Sequence, residues 1–189
     1  MDKRDKELKK IKDEVLKCRK CNLYKKRKYP VIGEGNHKAK IILIGEAPGA
    51  TENLTGHPFC GAAGKILDEL FSLIGRERKD VFVCNILKCQ PPGNRNPRKQ
   101  EIESCAPFLL RQIEVIKPRV ICTLGNFSTT FIFRQYGLED KIKGISHLHG
   151  KIFEAEKTTI IPFYHPAVAT YNANMKKILI KDFQILKNF

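Results

Sequence analysis

KIILIGEAPG, running from Lys40 to Gly49, decides the fold. Lys40 to Gly45 is a short continuous apolar run that meets a Gly and Pro turn, the pattern of a strand buried on both faces of a parallel sheet. Downstream, Ala63, Ile66, Leu67, Leu70 and Ile74 recur every three to four residues, so a helix follows, and Gly75 is placed to close it. Asp80 to Leu87 reads as a second strand and Val120 to Leu124 as a third. Helical spacing returns at Ile102, Ala106, Leu109, Ile113 and Ile116, and again from Phe127 to Tyr136. Lys151 to Ala155 and Thr159 to Phe163 read as two short strands, before a closing helix marked by Met175, Leu179, Phe183 and Leu186. Such alternation implies a mostly parallel sheet with helices on both faces. Ligands of such sheets bind beyond the carboxyl ends of the strands. Three polar motifs fall at strand ends: GEAPG after the first, Asn85 at the exit of the second, and His165 after the last.

Upstream, Leu8, Ile11 and Val15 give a basic amphipathic helix over about residues 2–17. Gln90 to Lys99, QPPGNRNPRK, has three prolines and a glycine, which remove backbone donors and helical dihedrals; it is a rigid basic loop. The 189 residues form a single domain without internal repeats, and no apolar run approaches the roughly 20 residues a membrane span requires. The opening MDKRDKELKK has no apolar signal core, so a cytosolic or nuclear location is expected.

The 35 Lys and Arg against 20 Asp and Glu give a net charge of +15, a surplus that attracts polyanions, nucleic acid foremost. Between Asp2 and Lys28, 13 basic and 5 acidic residues supply +8 of it. Lys-rich surfaces of mixed charge also mark many thermophile proteins, so charge favours nucleic acid without establishing it.

Seven cysteines, an odd count in a reducing compartment, argue against a disulfide framework. Cys18 and Cys21 form a C-x2-C pair, and Cys89 and Cys105 a wider one. By spacing alone these four suit zinc or an iron-sulfur centre equally. Cys84 and Cys122 sit inside apolar strands as small hydrophobes, and Cys60 adjoins a glycine-bounded loop. His147 and His149 alternate without a third ligand nearby, a weak metal signal.

Phe59, between Pro58 and Cys60, is placed for a flat base to stack on it, or to anchor the loop on the sheet. Asn85 interrupts an apolar strand; its carboxamide offers a donor and an acceptor together, either satisfied within the core or strand end or suited to a base edge of the reverse pattern, such as the N3–H and O4 of uracil. His165 can donate to a substrate oxygen that gains charge in a transition state, although a lone His is more often structural and counts only in combination.

Together, GEAPGATE (45–52), GHPFCG (56–61), NILKCQPP (85–92) and HPA (165–167), with the cysteines at 18, 21, 89 and 105, resemble the family 4 uracil-DNA glycosylases, the iron-sulfur branch of their superfamily. The resemblance runs from about Lys17 to the C-terminal helix. It implies a three-layer α/β/α sandwich on a four-stranded, mainly parallel sheet, and a [4Fe-4S] cluster held by Cys18, Cys21, Cys89 and Cys105. It further implies a uracil pocket of Gly45, Glu46, Ala47, Phe59, Asn85 and His165, and hydrolysis of the N-glycosidic bond of deoxyuridine in DNA. Phe59 would stack, Asn85 would read the pyrimidine edge, His165 would donate to O2, and Glu46 or Glu52 would orient water.

Departures accompany the likeness. Ala47 and Gly49 stand where the better-known branch carries a water-activating Asp and a Tyr. Asn53 stands where an acidic residue commonly follows Glu52. The run after HPA lacks the Arg often found in the DNA-penetrating loop, so Tyr171 is expected as the inserting side chain, with Arg95, Arg98, Lys176 and Lys177 on phosphates. A cytoplasmic, nucleoid-associated monomer is expected; the sequence does not show a protein partner such as a sliding clamp. The rivals are a non-catalytic iron-sulfur or zinc protein that binds nucleic acid, and a hydrolase of small nucleotides.

Overall fold

The computed structural model describes residues 2–189 and places the apolar runs in one six-stranded sheet. Its strands are β1 (Glu34–Gly35), β2 (Ile41–Gly45), β3 (Phe82–Asn85), β4 (Val120–Leu124), β5 (Phe153–Ala155) and β6 (Thr158–Phe163), in the order β1-β3-β2-β4-β6-β5. The central four are parallel, whereas β1 and β5 pair antiparallel at the two edges. The parallel centre matches the expected four strands; the sheet itself has six. Glu34–Gly35 is too short and polar to show an apolar pattern, and β5 joins as an edge hairpin with β6. The second strand is shorter than Asp80 to Leu87, because Arg78–Asp80 forms a 3-10 turn and the chain leaves the sheet after Asn85.

The helices are α1 (Lys3–Lys17), α2 (Ala50–Thr55), α3 (Ala62–Leu73), α4 (Lys99–Ile116), α5 (Asn126–Gln135), α6 (Ile145–Leu148) and α7 (Ala173–Phe183). Alternate residues of each strand enter opposite layers, as a period of two requires. Ile42, Ile44, Phe82, Cys84 and Ile121 pack with Leu8, Ile11, Val15, Leu109 and Ile113 of α1 and α4. Ile41, Leu43, Val83, Val120 and Cys122 pack with Leu67, Leu70, Phe71, Leu179 and Phe183 of α3 and α7. Burying each large apolar side chain of α1 contributes roughly 1.5–3 kcal/mol, which holds this Lys-rich helix on the domain against its own charge repulsion. Among the described residues no helix is long and apolar enough to cross a membrane.

Chain order makes β2 the switch point. From β2 the chain passes to β3 on one side, then returns to β4 on the other. The crevice beyond the carboxyl end of β2 is therefore open between diverging connections, where ligands of such sheets bind.

Candidate active site

A cavity of about 400 Å³ occupies that crevice, lined by Glu46, Glu52, Phe59, Asn85, Arg95 and His165, with Ala47, Pro48 and Gly49 along the turn. Residues far apart in the chain meet because each terminates or follows a central strand. Gly45 and Asn85 are register partners at the last rung between β2 and β3. A side chain at 45 would intrude: an ideal Cβ there lies 2.3 Å from Asn85 Oδ1 and 2.8 Å from Phe59 Cζ. Gly45 does not itself line the cavity; by having no side chain it leaves room for Asn85 and Phe59, which do.

Asn85 is 2% exposed, and its Oδ1 has no hydrogen-bond partner among the described residues. A buried acceptor left unpaired costs about 1–3 kcal/mol, so its retention beside a cavity marks it as a group awaiting a donor. The Phe59 ring packs near-parallel to His165, with centroids 5.7 Å apart and planes 28° apart. Phe59 takes a left-handed backbone conformation with φ of 49°, a strain of order 1–3 kcal/mol in a non-glycine residue. Arg78 holds that loop: its guanidinium donates to the carbonyl of Pro58 at 2.9 Å and to that of Phe59, while its Nε bonds Asp68 at 2.6 Å. Gly64 lets α3 approach, since a Cβ there would sit 1.7 Å from the Phe59 carbonyl oxygen.

His165 Nδ1 accepts from the Ala167 backbone N–H at 3.2 Å, which leaves the neutral ring's proton on Nε2. Burial pushes its pKa down to about 4, against a smaller opposing pull from Glu52. Burial alone raises the Glu46 pKa above its ordinary value. The two carboxylates differ in their commitments. Glu52 Oε1 accepts from the N–H groups of Cys60 and Gly61, both at 3.0 Å, and so caps α3 from a distance. Glu46 has no hydrogen bond from its carboxylate to any described residue, though its carbonyl continues the pairing with Leu87 N–H at 3.0 Å.

A second, small cavity is lined by Cys18, Cys21, Cys89 and Cys105 together with Lys20, Arg27 and Lys88. The C-x2-C pair follows the end of α1, Cys89 lies after β3, and Cys105 lies in α4. Arg27 donates to Cys89 Sγ at 3.4 Å and to the Leu16 carbonyl at 2.8 Å, tying the N-terminal arm to the loop. Burial raises the thiol pKa of Cys105 to about 12, against the pull of Lys88, and raises those of Cys21 and Cys89. Among the described residues no three His, Cys, Asp or Glu side chains close on a point that would hold a single metal ion.

Residues 32–186 match the model of the uracil DNA glycosylase superfamily. The chain is 47% identical over 182 residues to the type-4 uracil-DNA glycosylase of Saccharolobus solfataricus, covering 94% of this chain and 83% of that one. It is 45% identical to the type-4 enzyme of Archaeoglobus fulgidus, covering 90% and 87%, and 38% identical to that of Thermotoga maritima, covering 95% and 92%. The chain belongs to the type-4 uracil-DNA glycosylases.

In this type-4 chain the expected DNA-contacting side chains divide. Arg98 and Lys177 are exposed, and Tyr171 is 78% exposed, standing clear of the domain before Asn172 caps α7. Arg95 is not a free surface cation: it bonds the buried Glu101 through two nitrogens, at 2.9 and 2.5 Å, and lines the cavity. Lys176 pairs with Glu69 at 2.5 Å. Sequence reading missed Glu101, Arg78 and Lys88. Lys88 is 1% exposed; its Nζ donates to the Asn85 carbonyl at 2.9 Å and to Gln112 Oε1 at 2.7 Å, while its backbone N–H points at Cys105 Sγ at 3.2 Å. Glu101 had a local signal, an acidic residue three after the helix cap that accepts from Arg98 N–H at 2.8 Å. Lys88 and Arg78 had none. Asn53, the departure beside Glu52, accepts from Lys28 N–H at 3.0 Å and anchors the arm to α2.

Proposed function

We propose that this protein hydrolyses the N-glycosidic bond of deoxyuridine in DNA, releasing uracil and leaving an abasic site. The observation that carries the reading is the buried, unpartnered Oδ1 of Asn85, a residue that lines the same cavity as the stacked Phe59 and His165. Uracil N3–H supplies the donor that Oδ1 lacks, and the Asn85 amide N–H₂ meets O4. Cytosine offers the reverse pattern and leaves both groups unpaired.

Breaking the bond develops positive charge on the sugar and negative charge on uracil. A neutral His165 with its proton on Nε2 donates to O2 as that charge grows, and burial keeps it neutral at working pH. Glu46, whose carboxylate has no competing hydrogen bond, is assigned to orient water and favour the cationic sugar. Glu52 is assigned to hold the loop, since one of its oxygens is engaged by two amides. Tyr171 is assigned to fill the vacated stack, with Arg98 and Lys177 on phosphates.

Four thiols line one space, a donor set that zinc and a [4Fe-4S] cluster both use, and the likeness to the type-4 enzymes favours the cluster, which would bond each thiolate to a separate iron. The cluster would supply four bonds that join the arm and α4 to the loop beyond β3. The reading describes a cytoplasmic monomer acting on chromosomal DNA.

The test is incubation with a uracil-containing single-stranded oligonucleotide. Free uracil and an alkali-labile site are expected, with loss on the order of 10²-fold in Asn85→Ala. Binding without base release would support a non-catalytic nucleic-acid protein, and release only from free deoxyuridine would support a nucleotide hydrolase.

A further inference from the structure

Beyond the Pro91 to Pro97 loop from the uracil cavity lies a second open groove of about 470 Å³. Arg19, Lys20 and Lys26 of the N-terminal arm line it together with Arg95 and Arg98 of the loop, and the one carboxylate is Glu101. Glu101 is already neutralised by Arg95, so four cations are left without compensation within the groove. Arg19, Lys20, Lys26 and Arg98 are all exposed, and among the described residues none is paired with a carboxylate. Lys20 lies 5.1 Å from the centroid of the Phe108 ring and Arg19 5.9 Å from that of Tyr24, so aromatic faces restrict two of the heads.

Four like charges gathered in one concave site repel one another, and low-dielectric walls strengthen the field they make. An anion relieves that repulsion. Its identity follows from position: Arg95 lines both this groove and the uracil cavity. A molecule filling both must carry phosphate next to a nucleobase. The loop between them is stiff, with Pro91, Pro92 and Pro97 fixing its path and Asn94 left-handed at φ of 53°.

We propose that this groove seats the phosphodiester backbone flanking the everted nucleotide, so that one strand has its uracil on one side of Arg95 and its phosphates on the other. The proposal rests on the glycosylase reading and extends it to a defined strand path. Because the two banks of the groove come from the arm and the loop, it exists only while these are held together. Cys21 and Lys20 line both the groove and the cysteine cavity, so a cluster held by the cysteines would also brace the groove.

The test is binding of a single-stranded oligonucleotide carrying an abasic site, measured by fluorescence anisotropy across a salt series. The triple variant R19Q/K26Q/R98Q is compared with K6Q/K9Q/K10Q, which removes the same charge from the exposed face of α1. Removing one phosphate-binding cation should flatten the log–log salt slope by about 0.7, so the groove variant should fall by roughly 2 units and the α1 variant by little. Equal flattening in both would show diffuse attraction, and an unchanged slope in the groove variant would remove the groove from the strand path; either overturns the proposal. The charge-preserving variant K26R/R98K, expected to keep the parent slope, guards against a folding artefact, as does the visible absorption of each protein. Weakened binding of deoxyuridine monophosphate with no change in slope would assign the groove to a mononucleotide and overturn it equally. A groove-dependent slope in protein that releases no uracil would refute the glycosylase reading while leaving the groove standing.

Discussion

Gly45→Ala probes the packing against two residues that line the pocket, Asn85 and Phe59. The substitution adds one methyl group, and Gly45 lies outside the left-handed region, so the backbone accepts alanine without strain. The methyl would stand 2.3 Å from Asn85 Oδ1 and 2.8 Å from Phe59 Cζ, about 1 Å inside ordinary contact. Something must yield, and overpacking of this kind costs about 1–3 kcal/mol. Phe59 is held by Arg78 and by the close approach of Gly64, so the Asn85 carboxamide should give way first. If that energy appears as misalignment of the reader, it corresponds to roughly 5- to 150-fold in kcat/KM. The portion remaining in the folded state should lower Tm by only a few degrees in a chain of this size. Single-turnover uracil release measures the first effect and calorimetry the second. In an Asn85→Ala background the same substitution should add little, because its victim is already gone. A full loss in both backgrounds, or a rate within about threefold of the parent, would refute the account.

Arg78→Lys keeps a cation but loses the planar fork whose separate nitrogens reach two carbonyls and Asp68; kcat/KM should fall about tenfold, and Arg78→Ala should fall further. Equal rates in both variants would deny Arg78 a role in holding Phe59. The rate should be level near neutrality and fall in acid, as Glu46 protonates at its raised pKa and His165 at about 4. Glu46→Gln should lower the plateau and move the remaining limb toward that lower value; a limb near pH 6.5, insensitive to Glu46, would mean an ordinary histidine governs it. Tyr171→Ala should impair excision from duplex while sparing single strands, and equal losses on both would end its role as a wedge. Cys89→Ala should lose iron and Cys84→Ala keep it; the reverse would exchange their assignments.

The parallel centre of the sheet was legible because β2, β3, β4 and β6 are buried on both faces and so appear as unbroken apolar runs. β1 was not: two residues held by backbone pairing alone leave no side-chain pattern. Motifs at strand ends identified the cavity, since strand polarity carries Glu46, Asn85 and His165 to one edge whatever lies between them. What the chain did not announce was which charges are already satisfied. Arg95 has the sequence signature of a surface cation, yet Glu101, six residues on, is buried against it. Lys88 has that of a solvated residue between two apolar stretches, yet it lies beneath the site with its head group on Gln112, 24 residues away. Neither pairing has a spacing that sequence periodicity reports.

The unpaired Asn85 oxygen also bears on the departure of the product. On the proposed reading, free uracil retains both the N3–H assigned to this oxygen and the flat face assigned to Phe59. The contacts that identify the base in the strand are therefore still available once the sugar has let go, and emptying the pocket restores a buried acceptor to isolation. Each turnover should then end against a gradient of the pocket's own making, so that free uracil is expected to inhibit competitively and its escape becomes a candidate for the slowest step in the cycle.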